Sequence, residues 1–318
     1  MLLSDPFHPV TLSREGSRDS HRSMFIRTCI KHAIKRQHRC SSAIAVDPYS
    51  LDLDERFIRF GKAAPSVAAQ MTPRKLQIVS DLHLEFRHSP PRITKYGNDL
   101  ALLGDIGHPF SESYRQFLSD QAGTFDNVFV LLGNHEYYSA ERTADQIRQQ
   151  AQKICDEHEN VHLLERSSFD ITEHTRLIGT TLWSDIDSKS AARMTDFQMI
   201  RCKNAPITRE QYLKWHHRDV SWLEKALITC QEDEKRAVVL THHGPCLAMS
   251  GKYHGSMMNS GFVTDLTRLF QSPAIAFASG HVHSNCDTTV NGIRSVSNAL
   301  GYPGESTGYK DDVVIDII

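Results

Sequence analysis

The sequence predicts an α/β fold, and three observations support this prediction. From Lys75 onward, short apolar runs end in Gly, Ser or Thr, as is typical of strands that are covered on both faces. Segments with apolar residues at helical spacing lie between these runs. Near the C-terminus, Asn291-Gly292 joins two strand-like runs, and this dipeptide is preferred in the type I′ turns of hairpins. Strands that alternate with helices and end in an added hairpin indicate one mixed sheet or two stacked sheets.

The predicted strands are short runs of apolar residues that stop at a small or polar residue. In chain order they are KLQIVS, DLALLG, NVFVLLG, TRLIGTTLW, RAVVLTH and AIAFASG, then the hairpin CDTTVNGIRSVSN and the final strand DDVVIDII. The predicted helices have apolar residues every three or four positions. They are SESYRQFLSDQ, residues 139–158, TREQYLKWHHRDVSWLEKALITC and FVTDLTRLF. Ser139 opens the second of these helical segments and is predicted to be its N-cap.

The composition is that of an ordinary globular protein. The chain has 318 residues, is 40% hydrophobic and 23% charged, and carries a net charge of −2. This charge gives no field that favours nucleic acid or an anionic membrane, and no apolar run is long enough to span a bilayer. The seven cysteines include no CxxC pair, which favours reduced thiols in the cytoplasm. We therefore expect a cytoplasmic protein with neither a nucleic-acid nor a membrane partner, and the sequence leaves its oligomeric state open.

Residues 1–72 differ from the rest of the chain in composition and residue pattern, and they are predicted to be an N-terminal extension. Ile26, Ile30 and Ile34 recur at helical spacing in a basic stretch, as in a mitochondrial presequence or a surface-binding helix. Acidic residues earlier in the extension favour a poorly ordered segment instead, because presequences are poor in acids. Met71 stands directly before the first predicted strand and is an alternative start of the chain.

Polar side chains follow five of the predicted strands, and these are the candidate site residues. They are Asp81 and His83, then Asp105, then Asn134, His135 and Glu136, then His242 and His243, and last His281 and His283. In open α/β sheets, ligands bind outside the strand ends where such loops meet. Residues two apart on an extended segment point to the same side, so Asp81 with His83, and His281 with His283, are predicted to reach one site.

The residue types in this set indicate a metal site. Carboxylate and amide oxygens combined with imidazole nitrogens suit Mn, Fe or Zn, and the number of donors is sufficient for two divalent ions. The set contains no cysteine, which argues against a closed structural zinc site. Any one of these motifs is as readily an ordinary polar start of a loop. The five motifs in order, each at a strand end, are far more specific.

The ordered motifs SDLH, LLGDI, LLGNHE, LTHH and SGHVH resemble those of the calcineurin-like metallophosphoesterase superfamily, over residues 76–298. The resemblance implies two facing mixed sheets flanked by helices, a four-layer αββα fold, with residues 73–318 as the catalytic domain. It also implies a phosphoric ester hydrolase with two divalent metal ions that supply a hydroxide nucleophile. By the same resemblance, the ligands of one ion are Asp81, His83 and His283, those of the second are Asn134, His242 and His281, Asp105 bridges the two ions, and His135 is the general acid.

The resemblance leaves the substrate open, and a small phosphodiester or phosphomonoester is predicted. A protein serine/threonine phosphatase is disfavoured because GDIGHP lacks the Asp and Arg that those enzymes carry after the bridging Asp. A non-catalytic scaffold of the same fold is a further alternative, although such a protein typically loses part of the metal set. His243, Arg201 and His217 are predicted to contact the substrate. The segments at residues 184–221, 244–261 and 298–305 are candidate rims of the site, and the first is either a lid or a helical crossover.

Overall fold

The structure is a computed structural model, and it describes residues 73–317 of the chain. The predictions made for residues 1–72, including the poorly ordered extension and the alternative start, lie outside the described residues. Between residues 73 and 317, no helix combines the length and the apolar character needed to cross a membrane.

The described residues form strands and helices in alternation. The strands are β1 (Arg74–Val79), β2 (Asp99–Leu103), β3 (Val128–Leu131), β4 (Val161–Leu163), β5 (Ser167–Asp170), β6 (Thr175–Thr180), β7 (Arg201–Cys202), β8 (Ala205–Pro206), β9 (Arg236–Thr241), β10 (Ala274–Ser279), β11 (Asp287–Val290), β12 (Ile293–Ser297) and β13 (Val314–Ile317). The α-helices are α1 (Glu112–Ala122), α2 (Ala144–Cys155), α3 (Ser188–Ala191), α4 (Asp196–Met199) and α5 (Arg209–Glu232). Short 3₁₀ turns cover Leu84–Phe86, His135–Tyr137, Leu247–Met249, Gly251–Tyr253, Asn259–Gly261 and Thr267–Leu269.

The strands form two large mixed sheets. The first has five strands in the order β13-β1-β2-β3-β4, in which β1 to β4 are parallel and β13 is antiparallel to β1. The second has six strands in the order β11-β12-β10-β9-β6-β5, with antiparallel pairs at both edges and parallel strands between them. The predicted hairpin is the β11–β12 pair, and its turn has the positive φ angles of Asn291 (50°) and Gly292 (82°).

Packing of apolar side chains stacks the sheets and helices in four layers. Between the sheets, Leu76 and Phe129 of the first sheet belong to the same buried cluster as Val238 and Leu240 of the second. The other face of the first sheet packs against α1 and α2, and the outer face of the second packs against α5. Burial of apolar surface at roughly 25 cal/mol per Å² makes these layers the main source of stability. The predicted pair of facing mixed sheets flanked by helices is confirmed.

Two predicted helical features are wrong. Ser139 does not cap α2, because that helix begins after Thr143, whose hydroxyl accepts a hydrogen bond from the Gln146 backbone N–H at 3.3 Å. The segment FVTDLTRLF is not an α-helix and contains only the 3₁₀ turn Thr267–Leu269. Here the Asp265 carboxylate accepts hydrogen bonds from the backbone N–H and the hydroxyl of Thr267, and such local bonds compete with a helix.

Candidate metal centre

The candidate ligands come together at one edge of the two stacked sheets. They follow β1, β2 and β3 in the first sheet and β9 and β10 in the second, at the carboxyl ends of parallel strands. Three groups of three donors form there, and within each group the donor atoms lie within 4.8 Å of one another; one is His83, Glu85 and His135, and the other two consist of predicted ligands alone. The first group of predicted ligands is Asp81, His83 and His283, and the second is Asp105, His242 and His281. All six side chains are buried.

Asp105 lies between the two groups. One of its carboxylate oxygens, Oδ1, is 3.4 Å from His242 Nε2, and the other, Oδ2, is 3.9 Å from His83 Nε2. Oδ1 also accepts a hydrogen bond from the backbone N–H of His135 at 2.8 Å. This position gives Asp105 one oxygen toward each group, as a bridging ligand requires.

Asn134 joins the second group through its side-chain oxygen. Asn134 Oδ1 is 3.1 Å from His242 Nε2, while its amide nitrogen donates to Asp196 Oδ1 at 2.9 Å and to the Tyr138 hydroxyl at 3.0 Å. Because both partners take the amide N–H groups, the oxygen is the atom left to face His242. The seven residues predicted as metal ligands therefore lie together.

The imidazoles present one nitrogen to the site and hold the other outside it. Nδ1 of His83 faces Glu85 at 3.1 Å, and Nδ1 of His283 faces Glu305 at 2.7 Å. Nδ1 of His242 faces the Leu103 carbonyl at 2.8 Å. An N–H donated outward leaves Nε2 free to act as a ligand, which is the arrangement that fixes metal-binding histidines in other proteins. Buried carboxylate and amide oxygens combined with oriented imidazoles fit divalent metal ions.

The backbone at the ligands is left-handed rather than extended. Asp81, His83, Asp105, His281 and His283 have φ angles of 54°, 47°, 53°, 68° and 51°. Such angles are uncommon for residues other than glycine and concentrate at functional sites. The paired ligands two positions apart do reach one site, but the extended backbone predicted for them is wrong.

Glu136 holds the loops after β2 and β3 together, as a buried anchor. Its carboxylate accepts hydrogen bonds from the backbone N–H groups of Asp105 at 3.0 Å, Ile106 at 2.7 Å and Gly133 at 2.8 Å. Burial and the nearby Asp105 raise the pKa of Glu136 to about 8. Gly133 is required for space, because a Cβ there would lie 2.2 Å from Asp105 Oδ1. Glu136 therefore fixes Asp105 from behind.

Burial and neighbouring charges move the pKa values of the site in opposite directions. Burial lowers the pKa of His242 and His283, but nearby carboxylates outweigh this effect. Asp105 raises the pKa of His242 most and Asp81 that of His283, so that each pKa rises to about 9. Burial and then neighbouring histidines lower the pKa of His281, and burial with His242 lowers that of His243 to about 3. The carboxylates thus hold protons on two imidazoles that divalent ions would displace.

His135 lies at the opening of this centre. Its Nδ1 is 3.2 Å from Glu85 Oε1 and its Nε2 is 3.1 Å from the Tyr302 hydroxyl. Burial lowers the pKa of His135, but Asp105 and Glu85 outweigh it and raise the value. His135 and the two donor groups open on a cleft of about 170 Å³, whose walls include Tyr138, Arg193, Lys252, Tyr253, Phe262 and Tyr302.

Comparison with known proteins shows the family and the fold of this chain. The family model described as calcineurin-like phosphoesterase matches residues 75–285. The chain belongs to the calcineurin-like phosphoesterase family. An uncharacterized protein of Acanthamoeba polyphaga mimivirus is 32% identical over 275 residues, which cover 77% of this chain and 97% of the viral protein. The fold is shared with the phosphopantetheinyl hydrolase of Mycobacterium tuberculosis, with a TM-score of 0.58, 18% identity, and coverage of 73% of this chain and 90% of that one.

Membership of the phosphoesterase family, together with the fold, points to hydrolase activity. Calcineurin-like phosphoesterases usually bind divalent metals, and the two His/Asp groups are this chain's candidates for that role.

The structure does not bring the residues predicted to contact substrate to the walls of this cleft. His243 is buried beneath the ligands, with its ring nitrogens near the Tyr212 hydroxyl and the Thr181 carbonyl, both at 3.3 Å. Arg201 donates to the Asn204 carbonyl of its own β7–β8 hairpin at 2.6 Å. His217 lies on the exposed side of α5. The prediction for His243 followed from its position next to His242, and those for Arg201 and His217 from their place in the segment at residues 184–221. Neither kind of position determines which way a side chain faces.

Four residues that support the phosphoesterase site were missed. Glu85, Asp196, Tyr302 and Glu305 each contact a candidate ligand or His135. Sequence offered a partial signal, because Tyr302 and Glu305 lie in the rim predicted at residues 298–305 and Asp196 in that at residues 184–221. Glu85 stands two positions after His83 and carried no signal of its own.

Proposed function

We propose that this protein hydrolyses small phosphoric esters with two divalent metal ions, one held by Asp81, His83 and His283 and the other by Asn134, His242 and His281. The position of Asp105 between these groups supports this proposal best, because its two oxygens face different groups. Manganese, iron and zinc all suit this donor set.

Hydrolysis would require both the metal ions and several residues of this chain. Two bound divalent ions lower the pKa of water toward neutrality and neutralise the charge of the ester phosphate. Asp105 and Asn134 would fix the second ion against the first, and Glu136 would hold the Asp105 loop in place. His135, which lines the cleft beside Asp105, would hold the proton that the leaving group requires.

The cleft supports a small substrate. Its volume of about 170 Å³ is below the roughly 300–1,000 Å³ typical of sites for drug-sized ligands, which suits a small ester better than a large one. Arg193 and Lys252 on its walls are cations that suit an anionic ester. The assay below distinguishes a monoester substrate from a diester substrate. The cytoplasmic location stays a prediction, which separate work on cells would test.

The test is hydrolysis of a chromogenic phosphodiester and the matching phosphomonoester by the chelator-treated full chain. We expect hydrolysis of at least one ester when Mn²⁺, Fe²⁺ or Zn²⁺ is returned, and two ions bound per chain. Metal binding without hydrolysis of any ester would instead support the non-catalytic scaffold. Hydrolysis of a phosphoserine peptide but of neither small ester would support a protein phosphatase.

His135→Ala is expected to bind both metal ions and to lose turnover on alkyl esters by about 10²–10⁴-fold, the usual contribution of a general acid. An ester with a 4-nitrophenolate leaving group should lose far less, because this anion departs without a proton. His108→Ala is the matched control, because its ring accepts the Phe110 backbone N–H within its own loop. Full activity of His135→Ala on an alkyl ester would remove His135 from the reaction.

A further inference from the structure

Both ring nitrogens of His135 are already engaged in the structure. Glu85 faces Nδ1 at 3.2 Å, and the Tyr302 hydroxyl faces Nε2 at 3.1 Å. The ring also packs between Tyr138 and His83, with centroid distances of 4.4 and 4.5 Å. A proton on Nε2 therefore meets the Tyr302 oxygen before it can meet an atom of a substrate.

The Tyr302 ring is held in place from several sides. It stacks on His83 at a centroid distance of 4.3 Å and meets the rings of His283 at 4.9 Å and Phe86 at 5.6 Å edge-on. Its backbone N–H donates to Glu305 Oε2 at 3.1 Å, and the same oxygen lies 2.7 Å from His283 Nδ1. The loop that carries Tyr302 is therefore tied to the first donor group.

Tyr302 nevertheless faces the cleft. The residue is 40% exposed and lines the cleft together with Asp105, Asn134 and His135. A phenol is both a donor and an acceptor and carries its proton at neutral pH. A group that is fixed, exposed to substrate and bonded to His135 has the geometry of a proton donor rather than of a gate.

We propose that Tyr302 is a catalytic residue whose hydroxyl donates the proton to the leaving oxygen, while His135 Nε2 returns a proton to Tyr302. This proposal rests on the proposed phosphoesterase function. As the P–O bond breaks, its electron pair stays on the leaving oxygen, which takes the Tyr302 proton and departs as an alcohol. Water provides the oxygen that replaces it on phosphorus, and the proton released from that water restores His135.

Glu85 has a positioning role in this arrangement. Its carboxylate accepts the Nδ1 proton of His135, which directs Nε2 and its proton to the Tyr302 oxygen. Glu85 Oε1 also lies 3.1 Å from His83 Nδ1, so one carboxylate orients a candidate ligand and the proton source together. Tyr302 is the cleaner site for a test, because its hydroxyl can be removed without touching a candidate ligand's hydrogen bond.

The first measurement compares Tyr302→Phe with wild type on an alkyl phosphate ester and on the matching 4-nitrophenyl ester. The phenylalanine keeps the stacked ring and loses only the hydroxyl. We expect kcat/KM to fall about 10²-fold on the alkyl ester and less than ~3-fold on the 4-nitrophenyl ester, because only the poor leaving group needs a proton. Tyr96→Phe, at an exposed tyrosine outside the cleft, is the matched control and should match wild type on both esters.

The second measurement does not depend on activity. In the metal-free full chain, the ¹⁵N resonances of the His135 ring can be assigned by their loss in His135→Ala. We expect Tyr302→Phe to shift the Nε2 resonance and to leave Nδ1, which faces Glu85, nearly unchanged. An unmoved Nε2 resonance would show that the two residues are not hydrogen-bonded and would overturn the proposal.

The outcomes separate this proposal from the function on which it rests. If wild type hydrolyses no ester with any of the three metals, both fail. If wild type is active and His135→Ala shows the leaving-group dependence, but Tyr302→Phe is unchanged or faster on the alkyl ester, only the role of Tyr302 fails. In that case the substrate displaces Tyr302 and receives its proton from His135 directly.

Discussion

At the scale of single residues, Asn134 depends on an acid that lies 62 positions further along the chain. Asp196 is fully buried and accepts from the Asn134 amide at 2.9 Å and from the Tyr138 hydroxyl at 2.6 Å, while its Oδ2 has no hydrogen-bond partner among residues 73–317. Leaving that oxygen unsatisfied is costly. The cost is understandable if Asp196 serves to point Asn134 Oδ1 at the second donor group.

Asp196→Ala is expected to weaken binding of one of the two metal ions by about 10–100-fold, the usual effect of losing a partner that orients a ligand. Without this acceptor, the Asn134 amide can rotate its oxygen away from His242. Competition with a chelator, followed by metal analysis, measures the affinity of each ion separately. Asp187→Ala is the control, because Asp187 caps α3 in the same segment without touching a ligand. Unchanged affinities for both ions would contradict the role of Asp196.

At the scale of secondary structure, α2 shows how the start of a helix depends on a reciprocal pair of hydrogen bonds. The Thr143 hydroxyl accepts from the Gln146 backbone N–H, and Gln146 Oε1 accepts from the Thr143 backbone N–H at 2.9 Å. Among residues 73–317, the Ser139 hydroxyl accepts from the backbone N–H groups of Glu141 and Arg142, which lie in the loop before α2.

Thr143→Ala is expected to lower the free energy of unfolding by about 1 kcal/mol, because the Gln146 backbone N–H in the first turn of α2 loses its side-chain acceptor. Ser139→Ala is the matched comparison and should lower it less, since no N–H of the helix loses an acceptor. Urea unfolding of the full chain measures the free energy of unfolding of both variants. The slope of that free energy against urea concentration should be the same as in wild type. An equal loss in the two variants would mean that α2 is not stabilised chiefly by its Thr143 cap.

At the scale of the whole molecule, buried carboxylate–histidine pairs at the shared edge of the two sheets make folding depend on protonation. Asp105 beside the first sheet is 3.4 Å from His242 beside the second, and Asp81 is 3.1 Å from His283. Burial lowers the pKa of both histidines, but these carboxylates outweigh it and raise each value from 6.5 to about 9. Between pH 6.5 and about pH 9, these two histidines keep protons in the folded metal-free protein that they release in the unfolded chain.

We therefore expect the Tm of the metal-free protein to fall as the pH rises from 6.5 to about 9. This ion-pair stabilisation is complete below the unfolded pKa and is lost as the pH passes the folded pKa. The protein loaded with Mn²⁺ should show a smaller fall, because bound ions replace these protons. Thermal unfolding with and without a chelator measures the difference. His283→Gln should reduce the slope of the metal-free protein, whereas His217→Gln, on the exposed side of α5, should not. Parallel slopes with and without metal would refute the linkage.

Much of the fold and of the donor set could be predicted from local sequence. The apolar runs mark β1, β2, β3, β6, β9 and β10, because strands covered on both faces are rich in apolar residues. The short strands β4 and β5 were not predicted, since Val161–Leu163 and Ser167–Asp170 are too short and too polar to stand out. The helical pattern at residues 262–270 arose from side chains buried in different clusters rather than along one helix face.

The sequence by itself determined the order of the strands and helices along the chain and the residue types at their ends, because both are local properties of the chain. Only the tertiary structure decided which acids orient those imidazoles, which groups the ring nitrogens of His135 face, and which cations line the cleft. Glu85, Asp196 and the loop that carries Tyr302 and Glu305 come from three separate parts of the chain and meet the site only after the two sheets have packed face to face. A contact between residues far apart in sequence leaves no periodicity in either segment, so packing alone could reveal these partners.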